Sequence, residues 1–417
     1  MKVMKSQASS RLPLRVLFAG DTVTIHSVRL VAALARRGVE MQVLNGSGLI
    51  DRLGREYDTQ ATNLRYDEIR LRGNVRVPGI GRLERRLNRH RLRRSLNRPR
   101  FDVIHVNNLY CGEQLDRLTT LQSLPAPLVV TAWGSDVDDS AVRKHPSYPP
   151  LRKALLSRAT LITAWSPPMV QRCRAIVPDR PARDFRLIRW NPDPKSFNLD
   201  VAKRGRKHWR ERLGIGQDEL VFLSPRNTRP NYRIDRIVRA FSQAVADHDA
   251  VSCRMVLVIV HAKPGRADQD AYVEQLRAAA KPLGDRVRFV EQVPHSQVPS
   301  LFGAADAAIS IPQADGGPAT HTEMSALGVP LIIADLVDYQ RYAIADETAL
   351  IVDADSDASV ADAIRRFACD DALRKRIAAK ALTANAGTFD QTVDAYLQGY
   401  HDAIDRTAAS IAADVGC

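Results

Sequence analysis

The residues best suited to chemistry in this chain are two acids, Asp315 and Glu323, which stand eight positions apart on either side of a glycine turn. Gly316 and Gly317 follow the first acid and, because neither carries a Cβ, the backbone there can come close to a ligand. Pro318 suits the first turn of a helix, where a missing N–H costs nothing. A helix that starts here directs free N–H groups and its positive dipole end at the site, which favours phosphate.

Apolar runs flank this segment and must position it. Ala307 to Ile311 has the composition of a buried strand before the acidic pair, and Val329 to Ala334 has that of another strand after it. The pattern predicts a strand, a loop that carries Asp315, a helix that contains Glu323, and a second strand. The alternative interpretation is a solvent-facing Asp in a turn and a Glu on a helix surface.

The segment resembles the acidic motif of the family 4 (group 1) retaining glycosyltransferases, which have the two-domain GT-B fold. In that family, as here, seven residues separate an acid from a Glu, and a stretch such as Met324-Ser325-Ala326-Leu327-Gly328-Val329-Pro330 follows; the first acid here is Asp315 rather than Glu. The resemblance implies that Asp315 contacts hydroxyls of the transferred sugar and Glu323 the ribose of the nucleotide. The predicted donor-binding residues of this segment are Glu323, Gly316, Gly317, Pro318, Ala319 and Thr320.

A second loop carries the predicted phosphate contacts. Leu220 to Ser224 has the pattern of a strand, and Arg226 follows it. The family has an Arg on this loop and a Lys a few residues on, and both grip the donor diphosphate; Arg226 matches the Arg, and Tyr232 stands at the Lys position. Arg229 or Arg233 is predicted to supply the missing cation, since Arg can bind phosphate through two N–H groups. For Arg226 the alternative is a surface salt bridge.

The resemblance and the charge of the leaving group together suggest a mechanism. Negative charge develops on phosphate oxygens as the glycosidic bond breaks, and Arg226 with the helix after Gly317 would stabilise it electrostatically. Asp315 and Arg226 are therefore the predicted catalytic residues. The resemblance implies a metal-independent enzyme, which fits the lack of any His, Cys or carboxylate cluster with metal-ligand spacing. We expect no cofactor besides the nucleotide-sugar substrate. Retention of configuration is implied by the resemblance alone.

The first half of the chain carries the predicted acceptor-side residues of the cleft. Gly20 ends an apolar run and leads through Asp21 and Thr24 to His26 at a predicted helix start, which is where a doubly wound sheet binds ligands. Helix capping by Asp21 or Thr24 is the alternative.

The stretch from Thr131 to Asp136 resembles the Thr-x-His-Gly-x-Asp stretch of the family, with Trp133 at the position of the His that lies near the reacting sugar. Trp133 is predicted to stack on a sugar face, and a buried core Trp is the alternative. Asp136 is predicted either to bind a sugar hydroxyl or to close the turn.

Strand and helix patterns alternate almost throughout, which favours parallel sheets with helical crossovers. We predict an α/β chain with GT-B architecture, in which two Rossmann-like doubly wound domains face each other across a cleft. The acceptor-side domain is predicted at 13–195 and the nucleotide-sugar-binding domain at 207–392, with a proline-containing linker from Asn191 to Arg206. A last helix, at about 393–417, is predicted to cross back to the first domain.

The formal net charge of +14 is concentrated in one stretch. Between residues 82 and 100, nine arginines stand against the single acid Glu84, and leucines recur at helical spacing, which predicts a basic amphipathic helix. One interpretation is a surface helix whose leucines face the core, and another is a patch on anionic lipid headgroups. Phosphate contact with nucleic acid is disfavoured, because no reader motif or aromatic interleaving accompanies the arginines.

No stretch reaches eighteen apolar residues, so the sequence predicts no membrane-spanning helix. The five cysteines are widely scattered, which argues against a disulfide framework. We expect a cytoplasmic protein, with peripheral attachment at the cytoplasmic face of the inner membrane as a further hypothesis. The predicted function is transfer of a hexose from a nucleoside-diphosphate sugar to a glycan or polyprenyl-linked acceptor, in cell-surface polysaccharide or glycoconjugate biosynthesis. Because a fold alone does not determine function, a non-catalytic GT-B-like nucleotide- or glycan-binding partner and a GT-B nucleotide-sugar epimerase are the alternatives.

Overall fold

A computed structural model describes residues 13–20, 25–44, 101–111, 124, 126–138, 148–246, 254–260, 267–291, 293–317 and 319–415. The chain divides into two compact units. The first unit comprises residues 1–164, 170–186 and 393–417, and the second comprises 165–169 and 187–392.

The first unit is built on a sheet whose described strands lie in the order β2-β1-β3-β4-β5-β6. Its strands are β1 (Arg15–Gly20), β2 (Glu40–Leu44), β3 (Val103–Asn107), β4 (Leu128–Thr131), β5 (Leu161–Ala164) and β6 (Phe185–Leu187). Among the described residues of this part of the chain, the helices are α1 (Ile25–Arg36), α2 (Tyr148–Arg158) and α3 (Pro167–Ile176). Strand β1 pairs in parallel with both β2 and β3, so the strand order reverses between β1 and β3.

A hydrogen-bond network of buried polar side chains connects this sheet to the C-terminal helix. The imidazole of His105 on β3 lies 2.7 Å from the hydroxyl of Tyr400 through Nδ1 and 2.8 Å from the hydroxyl of Thr131 through Nε2. The Thr131 hydroxyl in turn lies 2.6 Å from that of Thr163 on β5. Burial lowers the pKa of His105 to about 3, so the ring is neutral at physiological pH.

The second unit has a parallel sheet in the order β12-β11-β10-β7-β8-β9. Its strands are β7 (Leu220–Ser224), β8 (Met255–Ile259), β9 (Val287–Phe289), β10 (Ala307–Ser310), β11 (Leu331–Ala334) and β12 (Leu350–Val352). The helices from here to the C-terminus are α4 (Leu199–Leu213), α5 (Ile234–Ala246), α6 (Ala267–Ala280), α7 (Val298–Phe302), α8 (Ala319–Ala326), α9 (Asp357–Cys369), α10 (Asp371–Ala384) and α11 (Phe389–Val415). This is the strand order of a dinucleotide-binding fold, and its direction reverses between β7 and β10.

Apolar side chains cover both faces of the second sheet, as expected for parallel strands. Phe222 and Ile309 belong to a core cluster that includes residues of α5, α6 and α9. Their strand neighbours Leu223 and Ala308 point to the opposite face and join a cluster with residues of α4, α7 and α8. Because both faces are buried, the strand ends are the places where polar groups can be presented.

The predicted linker is wrong over its second half, because helix α4 begins at Leu199. Asn198 caps its N-terminus by accepting a hydrogen bond from the Val201 N–H at 2.9 Å, and Gly214 ends it with a φ of 63°. A Cβ at Gly205, in the middle of the helix, would lie 2.2 Å from the carbonyl oxygen of Ser300, so the glycine allows close packing against α7. Because of this glycine and the high density of charged residues, the sequence pattern does not indicate a helix here.

Among the residues that the structure describes, none of the helices is long and apolar enough to cross a membrane. The predicted basic amphipathic helix at 82–100 lies outside the described residues.

Candidate functional site

The reversal of strand order in the second unit brings two loops of the predicted donor site together. Arg226 follows β7 and Asp315 follows β10, and these strands pair in parallel. The carboxyl ends of parallel strands meet at one edge of the sheet, where open α/β sheets bind ligands. Two hydrogen bonds join the loops: the Asn231 side-chain amide donates to the Ala314 carbonyl at 3.1 Å, and the Gln313 N–H donates to the Asn231 carbonyl at 2.8 Å.

The two predicted catalytic residues form an ion pair. Nη2 of Arg226 lies 3.0 Å from Oδ2 of Asp315, and each side chain is only 12% exposed. The Tyr339 hydroxyl donates to the same Oδ2 at 2.9 Å. The other carboxylate oxygen, Oδ1, accepts a long 3.5 Å contact from the Gly317 N–H. Within the described residues, Oδ1 is therefore the less occupied oxygen of this carboxylate.

Two further contacts hold the Arg226 guanidinium. Its central carbon lies 4.3 Å from the centre of the Tyr232 ring, and Nη1 donates to the Thr320 hydroxyl at 3.3 Å. Burial acts to lower the pKa of Arg226, but the charge of Asp315 and the neighbouring Tyr232 and Tyr339 outweigh it, so the pKa is raised. Arg226 is thus a permanent cation in a partly dehydrated setting, where its charge acts more strongly than in water.

Tyr232, at the position where the family has Lys, lies against the face of Arg226 in a cation–π contact. Of the two predicted substitutes for that Lys, Arg233 forms an ion pair with Asp355 at 3.3 Å. Arg229 is exposed and has no ion-pair partner in the described part of the chain. Arg229 is therefore the better placed of the two to reach an anionic ligand.

Helix α8 begins beside the ion pair, since Thr320 is one of its first residues. The N–H groups of a first helical turn have no partners within the helix, and together with the helix dipole they favour an anion. Ala319 is buried and Thr320 is half-buried, whereas Pro318 lies outside the described residues. Glu323 lies on the same helix and is only 7% exposed, so the alternative of a helix-surface Glu is wrong.

Both glycines after Asp315 are buried, and the second has a clear packing reason. A Cβ at Gly317 would lie 2.4 Å from Cε3 of Trp165. The Trp165 ring is itself fixed, because it stacks on Trp190 at 5.4 Å with an interplanar angle of 29°. The absent Cβ at Gly317 thus makes room for a protein side chain, whereas the sequence suggested room for a ligand.

Sequence reasoning missed two residues of this site, Tyr339 and His321. The His321 ring lies 4.3 Å from that of Tyr339 at 67°, and it is 3% exposed. Neither of its ring nitrogens has a hydrogen-bond partner among the described residues. Burial, and then the nearby charge of Arg226, lower the pKa of His321 to about 3. Tyr339 follows β11, the strand next to β10, and this position at the same sheet edge was the available signal.

The predicted acceptor-side residues that the structure describes lie in the first unit, again where the strand order reverses. The Trp133 indole N–H donates to Oδ1 of Asn107 at 3.0 Å, and the rings of His26 and Trp133 lie 5.4 Å apart. The Asn107 side-chain amide donates in turn to the Ser27 hydroxyl at 3.1 Å. Gly20 ends β1 at the same edge of the sheet. Trp133 is half-buried, so it is not a fully buried core residue.

Asp136 closes the turn after β4. One carboxylate oxygen accepts the N–H groups of Trp133 and Gly134 at 2.8 Å each, and the other accepts the Leu109 N–H at 3.0 Å. The side chain is fully buried; burial raises its pKa, and the three N–H donors oppose that rise. The structure thus shows the turn-closing role for Asp136 and no free carboxylate oxygen for a sugar. Asp21 and Thr24 lie outside the described residues.

No group of three or more His, Cys, Asp or Glu side chains that could hold a metal ion is found in the described ranges. The absence of a metal requirement stays a prediction.

Curated relatives match about half of the chain. A D-inositol 3-phosphate glycosyltransferase of Stackebrandtia nassauensis is 30% identical over 234 residues, which are 54% of this chain and 52% of the relative. One of the same name from Geodermatophilus obscurus is 28% identical over 52% of this chain and 48% of the relative. The chain thus spans about half the length of the curated relatives it matches.

Solved structures match nearly the whole chain. A sucrose-phosphate synthase from Thermosynechococcus elongatus superposes with a TM-score of 0.74 at 19% identity, over 94% of this chain and 99% of that one. Anabaena HepE, in complex with UDP and glucose, gives a TM-score of 0.70 at 14% identity, over 96% of this chain and 100% of that one. At these identities the likeness establishes the fold, which is the two-domain GT-B fold.

Two family models divide the chain between them. The model described as glycosyl transferase 4-like domain matches residues 22–188, and the model described as glycosyl transferases group 1 matches residues 205–383, which include the Arg226–Asp315 pair. The chain belongs to the family of group 1, family 4-like glycosyltransferases.

Proposed function

We propose that the chain is a retaining glycosyltransferase that moves a hexose from a nucleoside-diphosphate sugar to a glycan or lipid-linked acceptor. The observation that carries this proposal is the largely buried Arg226–Asp315 pair beside the first turn of helix α8, at the strand-order reversal of the second unit. A cation and free helical N–H groups suit a diphosphate, and a fixed carboxylate suits sugar hydroxyls.

In this proposal the diphosphate lies between the guanidinium of Arg226 and the N-terminus of α8. Arg229 supplies the second cation, since it is exposed and Arg233 is paired with Asp355. Glu323 accepts hydrogen bonds from the ribose hydroxyls. Anabaena HepE has been solved with UDP and glucose and with UDP-glucose, so uridine nucleotides are the first donors to test.

The chemical step depends more on stabilising the negative charge of the leaving diphosphate than on a side chain that carries a proton. The bond between the anomeric carbon and the diphosphate oxygen breaks, and its electron pair leaves with the nucleoside diphosphate. The oxygen of the acceptor hydroxyl bonds to the anomeric carbon, and its proton passes to the leaving phosphate oxygen. Arg226 and the helix dipole stabilise the charge that develops on the phosphate oxygens. Asp315 orients the transferred sugar. No cofactor or metal is part of this scheme, and retention is supported by the family resemblance.

On the acceptor side we assign the contact to the first unit. Trp133 presents a half-buried indole whose orientation is fixed by Asn107, and His26 lies beside it. An aromatic face of this kind suits the apolar face of a sugar ring. Because curated relatives are named for D-inositol 3-phosphate, inositol phosphates join glycans and polyprenyl-linked sugars in the acceptor panel.

The proposed location is the cytoplasmic face of the membrane in which a lipid-linked acceptor resides, with a role in cell-surface polysaccharide or glycoconjugate synthesis. The basic segment 82–100 would attract anionic lipid, with each cation near the surface adding about 1 kcal/mol. Co-sedimentation with anionic and neutral vesicles at low and high salt tests this. Absence of binding to anionic vesicles at low salt, or binding unchanged by charge reversal at Arg89, Arg93 and Arg94, removes the membrane from the proposal.

A nucleotide-sugar panel tests the donor assignment. A thermal-shift screen of UDP, GDP, ADP and dTDP sugars is expected to find at least one that stabilises the chain. Arg226→Ala should lose that stabilisation, whereas Arg366→Ala should keep it, because Arg366 lies in an exposed pair with Asp346. If no nucleotide sugar in the screen raises the melting temperature of the unmodified chain, the proposal is contradicted.

Product analysis then tests turnover. With the stabilising donor and an acceptor, free nucleoside diphosphate should appear together with a glycoside that retains the anomeric configuration of the donor. Binding without release of nucleoside diphosphate for any acceptor would point to the non-catalytic binding partner. Conversion of the donor to an isomeric nucleotide sugar, without transfer, would identify the epimerase instead.

A further inference from the structure

Asp315 depends on two neighbours to fix its carboxylate, and both of them bond the same oxygen. Arg226 Nη2 lies 3.0 Å and the Tyr339 hydroxyl 2.9 Å from Oδ2. Oδ1 has a 3.5 Å contact with the Gly317 N–H among the described residues. The carboxylate is therefore held by one oxygen and presents the other.

The Tyr339 phenol is itself rigidly placed. The residue is 1% exposed and ends a short helical turn, Val337–Tyr339, where its N–H donates to the Leu336 carbonyl at 2.8 Å. The ring of His321 packs against it at 4.3 Å. Burial, and then the charge of Asp315, raise the pKa of Tyr339 well above its usual value of 10, so the hydroxyl stays protonated and donates.

The two anchors differ in what else they must do. Arg226 is the proposed diphosphate cation, so its N–H groups are required elsewhere when the donor is bound. A phenol is neutral, so it holds a carboxylate oxygen without cancelling the negative charge. Tyr339 can thus keep Asp315 in place when Arg226 turns toward phosphate.

We propose that Tyr339 is a positioning residue for Asp315: its hydroxyl holds Oδ2, so that Oδ1 faces a hydroxyl of the transferred sugar. This inference rests on the proposed function, in which Asp315 contacts that sugar.

The test is Tyr339→Phe, which removes the hydroxyl and keeps the ring that packs on His321. The probes are the nucleotide sugar that most stabilises the unmodified chain in the panel above, and its own nucleoside diphosphate. We expect kcat to fall about tenfold or more, the loss typical of a hydrogen bond to a charged group. Affinity for the nucleoside diphosphate should stay within about twofold, because that ligand lacks the sugar.

Tyr272→Phe is the matched control. The Tyr272 hydroxyl also donates to a carboxylate, Oδ1 of Asp235, at 2.7 Å, on helices α6 and α5. This variant removes the same kind of bond from the same unit, and kcat should stay unchanged.

A double-mutant cycle with Asp315→Asn separates positioning from general loosening of the fold. If Tyr339 acts through Asp315, then Tyr339→Phe should weaken nucleotide-sugar binding when Asp315 is present and have little further effect in a chain that already carries Asp315→Asn. Full additivity of the two effects, or a kcat for Tyr339→Phe as unchanged as that of Tyr272→Phe, overturns the inference.

Different results would show that the proposed function itself is wrong. If no nucleotide sugar stabilises the unmodified chain, or if Asp315→Asn leaves both donor affinity and kcat unchanged, then Asp315 does not serve the sugar. The inference about Tyr339 falls with it in that case.

Discussion

Removing one member of the Arg226–Asp315 pair is predicted to destabilise the second unit, and removing both to cost less than the two single losses together. Both side chains are 12% exposed, so either one left alone is a largely buried charge. Breaking such a pair from one side costs about 3–5 kcal/mol. Arg226 would keep its contact with the Tyr232 ring, 4.3 Å away, which offsets about 0.5–2 kcal/mol. We therefore expect about 3 kcal/mol for Asp315→Ala.

The assay is urea unfolding of the two single Ala variants and the double variant, followed by circular dichroism and by tryptophan fluorescence. If the unfolding curves from the two probes coincide, a single two-state transition describes the unfolding. The coupling energy, taken from the cycle, should exceed about 1.5 kcal/mol in favour of the pair. The control cycle is Lys380 and Glu347, which lie 3.1 Å apart with side chains 50% and 53% exposed. An exposed pair of this kind should give about 0–1 kcal/mol.

A coupling energy for Arg226 and Asp315 no larger than that for Lys380 and Glu347 would refute the reasoning. It would mean that water reaches the pair in solution, and that the electrostatic argument for a strengthened Arg226 charge does not apply.

Three other perturbations test further residues of the chain. Glu323→Ala should weaken nucleotide-sugar binding by about 1.5–3 kcal/mol in calorimetry, because ribose hydroxyls lose a charged acceptor; unchanged affinity in a folded variant contradicts the assignment. Arg226→Lys should recover only part of the turnover lost in Arg226→Ala, because the forked donor is gone, and full activity of the Ala variant would transfer the role to Arg229. The free energy of unfolding should decrease as the pH is lowered from 7.5 to 5.5, because burial lowers the pKa of His105 and His321 from 6.5 to about 3. Below pH 6.5 the unfolded chain binds protons that the folded chain cannot, at about 1.4 kcal/mol per pH unit for each His; His321→Leu should reduce the slope, and an unchanged slope contradicts a buried neutral ring.

The alternation of strands and helices could be predicted well from the sequence, because each buried parallel strand is a short apolar run. The acidic pair and Arg226 could also be found, since their positions relative to those strands are local facts of the chain. Ligand-binding loops follow strand ends, and strand ends are visible without a structure.

What could not be predicted is which residues become neighbours in space. Tyr339 meets Asp315 only because β11 is the neighbour of β10, and His321 is buried only because α8 packs on that side of the sheet. Helix α4 was hidden for a different reason: Gly205 and a high charge density mask a helix whose stability comes from packing against α7. Local propensity underestimates elements that are stabilised by tertiary contacts.

The role of Tyr232 shows the same limit. Sequence comparison marks it as a missing cation, whereas the structure places its ring on the guanidinium of Arg226. A pattern match compares residue types, and it does not register that an aromatic ring can fix the orientation of a neighbouring cation.

The most direct test of the central claim is an experimental structure of the chain with a bound nucleotide sugar from the panel. We expect the diphosphate within hydrogen-bond distance of the Arg226 guanidinium and the N–H groups of Ala319 and Thr320, with a sugar hydroxyl on Oδ1 of Asp315. A nucleotide bound away from the β7 and β10 loops, with the Arg226–Asp315 pair untouched, would contradict it.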